Sequence, residues 1–493
     1  MEVIRRWFSL PQQPKDLNGA ESEQEYRQRW ITIRVVYLSG FLMFLSFGVM
    51  TTSLWPYLED MDGTAGKHFL SVLFAAPPAG QLLFSPLIGW CSNRLSSVRI
   101  PFVLLTAIYV FANGLYSVVE LFAAPHRKYV LLIARIAFGV ATSVNTLSRA
   151  YISAATHLHE RTKTIAMSSL AQTLGLVVGP IVQSLVSFIG KEGFLLYNLR
   201  INMYTASGWI CALSGVMYLM LLTPSTFIDR AVVPNKARDM IGSETAEKVT
   251  KRRPLKLFPI VLVLLGYGVL MLFYVSFQTT LSPLSLDQFG WSHAESLYYL
   301  GILLTAGTVF SCVIFLLLPQ LCQRYSEHNV FLLFAMLPLF LSQALMIPFG
   351  SDKVPMQHPA NDTSPAVLHG CAQEWCNTVP AIGQLQLTLS YAMLSVSFSV
   401  GIAISQTILS KLLGSRPQGQ WMALYTSIGG LTRIIGPGAA LIYTKYGTYW
   451  LFGSGAVATG LMLAWMWLHK NDLSTGQKTE SSGGELQELN GAN

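Results

Sequence analysis

Apolar runs of about 20 residues recur along this chain, and that is the length a helix needs to cross the hydrocarbon core of a bilayer. Twelve such segments are expected, at residues 34–54, 69–90, 101–121, 129–153, 164–189, 203–222, 258–280, 297–318, 329–349, 382–410, 421–443 and 449–468. Inside lipid a backbone must satisfy its own hydrogen bonds, so the runs predict helices there. Composition agrees: 52% of the 493 residues are hydrophobic and 12% are charged, against roughly 25% charged in a soluble chain. The net charge of +8 therefore reads as loop lysine and arginine. No basic stretch is interleaved with aromatics as a stacking platform for nucleic acid requires, so no nucleic-acid partner is expected.

A weak internal repeat divides the chain. Ser169 to Pro180 reads SLAQTLGLVVGP, and Thr426 to Pro437, 257 residues later, reads TSIGGLTRIIGP. Such repeats mark transporters built from two pseudo-symmetric bundles. The expected fold class is thus an all-α membrane protein of 12 transmembrane helices in two six-helix bundles. The expected organisation is a tail at 1–33, a first bundle at 34–222, a linker at 223–257, a second bundle at 258–468 and a disordered tail at 469–493. The linker carries eight lysines and arginines up to Lys256, which predicts a cytoplasmic linker and cytoplasmic termini by the positive-inside rule. The first 30 residues lack the parts of a signal peptide, so the first span is expected to act as an uncleaved anchor.

The loops opposite the linker are poor in positive charge. Residues 281–296 contain no lysine or arginine, and 350–380 contain only Lys353; the loop at 120–128, with Arg127 and Lys128, runs against the rule. Asn361-Asp362-Thr363 is an N-glycosylation sequon in the 350–380 loop. Cys371 and Cys376 lie in the same loop. A lumen or exterior permits a disulfide between them; two unpaired thiols at the interface are the alternative. The other cysteines, such as Cys211, are expected to be inert packing residues.

The fourth segment carries chemistry. Arg135, Gly139, Thr142, Thr146 and Arg149 follow one another at steps of four, three, four and three, which places them on one stripe of a helix. An isolated charge in lipid costs several kcal/mol, so this stripe faces the protein interior or a water-filled path. Guanidinium binds carboxylate, phosphate and halide well, and the expected role is an anion path. The alternatives are that Arg149 snorkels to the interface and that Arg135 pairs with Glu120. Arg433, near the middle of the eleventh segment, is a third candidate cation. Asn145, Gln172 and Gln278 are candidate polar lining, with hydrogen bonding between helices as the alternative. No aspartate or glutamate lies in the body of segments one, seven or ten, where proton-coupled carriers usually place one. Gly175, Gly179 and Pro180, and their counterparts Gly436 and Pro437, are expected to let helices approach and bend.

No nucleophile elbow, phosphate-binding loop or zinc-ligand spacing occurs, so no enzyme activity, cofactor or metal site is expected. His157 and His159 beside Glu160 are expected to form a solvated turn.

Six plus six segments, the basic linker and Gly175-x-x-x-Gly179-Pro180 resemble the major facilitator superfamily. Gly89-Trp90-Cys91-Ser92-Asn93-Arg94 resembles its loop signature between segments two and three, with Asn93 where aspartate is usual. A narrower resemblance is to the family of major facilitator superfamily domain-containing protein 8. It rests on Ser53 to Leu58 (SLWPYL), Ile201 to Thr205 (INMYT), Pro417-Gln418-Gly419 and Arg433 to Pro437, and spans about 23 to 468. That resemblance suggests a glutamate where Gln278 stands. It implies a multipass lysosomal membrane protein, glycosylated in a luminal loop and linked to chloride permeation. Neither tail supplies an acidic dileucine sorting signal.

The expected function is transport of a small, anionic solute across the endolysosomal membrane by a monomer surrounded by lipid. The alternatives are an anion channel with the same fold and a transport-inactive receptor or scaffold.

Overall fold

The computed structural model describes residues 22–62, 66–95, 98–196, 199–228, 256–357, 370–414 and 416–473. Most of the expected linker, most of the two tails and the sequon at Asn361 lie outside them. The chain divides into two compact units: Met1–Arg252 with Ser415–Ile434, and Arg253–Gly414 with Ile435–Asn493.

The first unit contains α1 (Glu23–Met61), α2 (Gly66–Arg94), α3 (Arg99–Ser117), α4 (Ala124–Thr142), α5 (Val144–Ala155), α6 (Leu158–Val186) and α7 (Thr205–Leu221). A short antiparallel hairpin, β1 (Phe194–Leu196) and β2 (Leu199–Ile201), joins α6 to α7 with Phe194 opposite Ile201. The second unit contains α8 (Leu257–Phe289), α9 (His293–Arg324), α10 (Glu327–Phe331), a π-helical turn at Leu332–Met336, α11 (Leu337–Leu345) and α12 (Gln384–Leu413). Then come α13 (Gly419–Ile435), whose residues to Ile434 belong to the first unit, and α14 (Ala439–Leu468) in the second.

Ten helical stretches among the described residues are long and apolar enough to cross a membrane. One of them, Gly419–Leu468, is broken at Gly447, whose φ of 84° only glycine adopts readily. Thr205–Leu221 is a shorter apolar helix. This arrangement is all-α within the spans and consistent with twelve crossings. Leu83, Leu104, Leu213 and Met217 of the first unit, and Leu297, Leu317 and Leu461 of the second, are large apolar side chains left exposed. Such a surface suits lipid and not water.

Two elements differ from the expected bounds for clear reasons. The first helix begins at Glu23, eleven residues before position 34, because Ser22 and Glu25 form a capping box: the Ser22 hydroxyl accepts from the Glu25 amide, and the Glu25 carboxylate accepts from the Ser22 amide. The early turns are not a solvated tail, since Tyr26, Arg29 and Trp30 are buried. Arg29 donates to Glu160 at 2.9 Å and to the Ala155 carbonyl at 3.0 Å. The fourth segment is not one helix: it breaks at Ser143, between α4 and α5.

Candidate functional site

Three helices of the first unit, α2, α5 and α13, carry an interior polar face. At the break, the Thr142 carbonyl accepts from the Gln81 side chain of α2 at 3.1 Å, so the amide takes up a backbone group that the interrupted helix has released. Ser85 and Ser143 hydroxyls meet at 3.5 Å. The Gln81 oxygen accepts from Arg433 of α13 at 3.4 Å. Two helical turns earlier on α13, Thr426 accepts from Arg149 at 2.9 Å, and the Arg149 guanidinium lies 4.9 Å from the centre of the Tyr425 ring.

The charges on this face differ from those at the helix ends. Ion pairs elsewhere join groups near the ends of elements: Arg29 with Glu160, Lys128 with Asp62, Arg200 with Glu120 and Lys411 with Glu327. Arg149 has only a hydroxyl and an aromatic face, and its Nε is buried without a hydrogen-bond partner. Nearby on α5, the Asn145 oxygen and the Thr146 hydroxyl are also buried and unpartnered. Arg149 is thus a half-buried cation with no acidic partner among the described residues, near further unsatisfied polar atoms. A partly buried guanidinium without a carboxylate partner attracts an anion, because the effective dielectric around it is lower than that of bulk water.

Arg135 sits apart from this face, although the sequence places it on the same stripe. It is fully buried and reaches Met50 Sδ of α1 at 3.3 Å and the Leu73 carbonyl of α2 at 3.5 Å. One of its terminal nitrogens has no partner. It does not pair with Glu120, which instead accepts from Asn202 at 2.7 Å and faces Arg200 at 3.8 Å. Arg149 does not reach outward either; it points at α13.

The remaining candidates are spread through the structure. Gln172 of α6 lies half-buried against Gly40 of α1. Gln278, in the second unit, is exposed and donates to the Tyr274 hydroxyl at 2.8 Å. Gly175 and Gly179 form the close crossing of α6 with α1: a Cβ on Gly179 would stand 2.7 Å from the Leu45 carbonyl, and one on Gly175 would collide with the Phe41 carbonyl. Pro180 packs over Gly48 in the same crossing. Gly436 plays a comparable part against Val275 of α8, and Pro437 beside it is exposed.

Cys371 and Cys376 are joined in a disulfide beneath Val354 and Trp375. Trp375 donates to the Thr444 carbonyl at 3.3 Å and packs against Gly447, so the bridged loop is seated on the break between the last two spans.

The loop signature has a structural role in the first unit. Gly89 lets the end of α2 touch the start of α13, where a Cβ would meet both Ala423 and the Gly419 carbonyl at 2.6 Å. The Asn93 oxygen accepts from the Gly419 amide at 2.9 Å, one of the unpaired N–H groups at a helix start. Arg94 stacks on Trp90 at 4.9 Å. Asn93→Asp is expected to strengthen this contact by about 0.3–1 kcal/mol, because a carboxylate suits the positive end of a helix dipole. Thermal unfolding checks this: Asn93→Asp raises the midpoint and Asn93→Ala lowers it.

Sequence reasoning missed Gln81, Tyr425 and Thr426. Gln81 had a signal, a lone amide inside an apolar run between Pro78 and Pro86. Tyr425 and Thr426 had none, since both residue types are common in such helices.

The family model described as Major Facilitator Superfamily matches residues 36–368. Major facilitator superfamily domain-containing protein 8 of Xenopus laevis is 31% identical over 461 residues, covering 88% of this chain and 89% of that one. The chain belongs to the major facilitator superfamily. Among solved structures, it is similar to the human organic anion transporter MFSD10 (TETRAN), with TM-score 0.65 and 17% identity over 89% of this chain and 99% of the other. The proton:xylose symporter XylE gives TM-score 0.63 and 14% identity over 89% of this chain and 95% of the other. At these identities the two structures speak for the fold alone. Members of this superfamily are transmembrane transporters that bind small solutes, and this chain is a multi-pass membrane protein of that kind.

Proposed function

We propose that this protein carries a small anion across the endolysosomal membrane, along a path whose positive wall is Arg149 and Arg433 with Asn145 as polar lining. The observation that carries this reading is Arg149: a half-buried guanidinium with no carboxylate partner among the described residues and a buried, unpaired Nε, set near unsatisfied polar atoms on α5. Arg433 adds a second guanidinium two turns along α13. Arg135 contributes to the positive field from within the first unit, and Gln172 and Gln278 supply further polar surface. The Gly-Pro elements at Gly175 to Pro180 and at Gly436 to Pro437 serve helix approach and rocking. The endolysosomal location, and cytoplasmic termini, follow from the resemblance to the domain-containing protein 8 relative and from charge counting. Glycosylation at Asn361 belongs to the same reading, as does a monomer in lipid.

The test is flux of radiolabelled chloride and of organic anions into proteoliposomes holding the full chain. Arg149→Gln is expected to lower it by about tenfold or more, since a hydrogen bond to a charged group is worth roughly 1.5–3 kcal/mol. Arg433→Gln lowers it in the same direction. Thermal unfolding of each variant separates loss of flux from loss of fold. Unchanged flux in a folded Arg149→Gln protein sinks the path assigned here.

A further inference from the structure

A second polar site lies in the first unit, away from the α2–α5–α13 face. A cavity of about 230 Å³ is lined by Asp60 at the end of α1, Ser117 at the end of α3, Glu120 in the α3–α4 connection, Arg127 in the first turn of α4, and Arg200 of β2. Charge counting puts this end of the unit outside the cytoplasm, where Arg127 and Lys128 were out of place. Lys128 is explained by its ion pair with Asp62 at 2.9 Å. Arg127 is not.

Arg127 is held in position without being neutralised. Its Nε donates to the Phe122 carbonyl at 2.9 Å and its Nη2 to the Glu120 carbonyl at 3.0 Å. These bonds fix the guanidinium and leave Nη1 and the net positive charge unspent. Arg200 is anchored in the same manner on the Glu192 and Lys191 carbonyls, at 3.0 and 3.2 Å. Its charge, however, faces Glu120 at 3.8 Å, and Glu120 also takes a bond from Asn202. Asp60 is exposed and makes no hydrogen bond or ion pair with any described residue. One unspent cation and one unspent anion therefore line the same cavity without pairing with each other.

We infer that this cavity binds a small zwitterion, an amino acid or the ends of a short peptide, whose carboxylate meets Arg127 and whose ammonium meets Asp60. A ligand bearing both charges uses both walls, and a bidentate carboxylate contact matches the planar guanidinium fork. The volume falls below the roughly 300–1,000 Å³ of drug-sized sites, so the ligand is small. Ser117 is spent on the Asn113 and Thr205 carbonyls and adds no specificity of its own. The site is independent of the path proposed above and is occupied whether or not that path carries an anion.

The experiment is thermal unfolding of the purified full chain titrated with glycine, alanine and glycylglycine, against acetate and methylamine at matched ionic strength. The zwitterions are expected to raise the unfolding midpoint saturably, and each singly charged analogue to need at least about tenfold higher concentration, the loss of one charged hydrogen bond. Asp60→Asn and Arg127→Gln each shift the zwitterion titration by a similar factor. Arg127→Gln also loses two structural hydrogen bonds. Asp60→Asn, at an exposed residue with no partner, is the decisive variant. A larger shift with glycylglycine than with glycine assigns the site to peptides, and the reverse to free amino acids. No zwitterion effect, an equal effect of acetate, or an unchanged titration in Asp60→Asn overturns the inference.

Discussion

Glu160→Ala is expected to destabilise the protein by about 3–5 kcal/mol, the cost of breaking a buried ion pair by removing one partner. The Arg29 guanidinium is fully buried and donates to Glu160 at 2.9 Å. It also donates to Ala155, the last residue of α5. Arg161 binds the Ser153 and Thr156 carbonyls at 2.7 and 3.1 Å. Two arginines thus satisfy carbonyls at the C-terminal end of α5, where a helix leaves its acceptors unpaired and its dipole is negative. Glu160 in turn accepts from the His157 amide at the start of α6. One carboxylate therefore ties α1 to the α5–α6 corner. Removing it leaves the Arg29 charge in place without Glu160. The double variant Arg29→Met with Glu160→Leu should recover much of the loss, because it removes both charges and keeps the volume. Thermal unfolding in detergent measures both; equal midpoints for wild type and Glu160→Ala would contradict this account.

Gly179→Leu is the other large effect. Even a single Cβ at Gly179 would stand 2.7 Å from the Leu45 carbonyl and 2.8 Å from the Gly48 Cα. The obstacle is backbone, which cannot rotate away as a side chain does. Overpacking costs about 1–3 kcal/mol where side chains can adjust, and here α1 and α6 must separate along their crossing. The expected result is loss of monodisperse protein on extraction, with Gly179→Ala intermediate. Wild-type yield and stability for Gly179→Leu would show that the two helices do not cross at Gly179.

Much of the fold was legible because lipid imposes one requirement that sequence displays directly: apolar runs long enough to span. The family could be identified from the same runs with a few short motifs. Boundaries were less legible. Arg29 and Arg27 make residues 23–33 look soluble, and only the Ser22–Glu25 spacing announces an earlier start. Which helix packs with which is not written in hydrophobicity. The contacts of α13 with α2 depend on small residues meeting at Gly89 and Gly419, and either glycine alone is uninformative. The polar stripe of the fourth segment was visible as a pattern, but its two ends reach different surroundings. Arg135 faces α1 and α2, whereas Arg149, beyond the break at Ser143, faces α13. A periodicity argument assumes an unbroken helix facing one environment, and neither held here. The contact of Arg433 with Gln81 was invisible for a related reason, since the two lie 352 positions apart in sequence.

The central claim is that the half-buried guanidinium groups on the α2–α5–α13 face move an anion. The most direct measurement is the concentration dependence of anion uptake by proteoliposomes of the wild-type protein, run beside Arg149→Gln. Saturable uptake, reduced by about tenfold or more in the folded variant, is the predicted result. A current that rises linearly without saturation would make the protein a channel. No anion movement in either direction from folded wild-type protein would contradict the account and favour a receptor or scaffold.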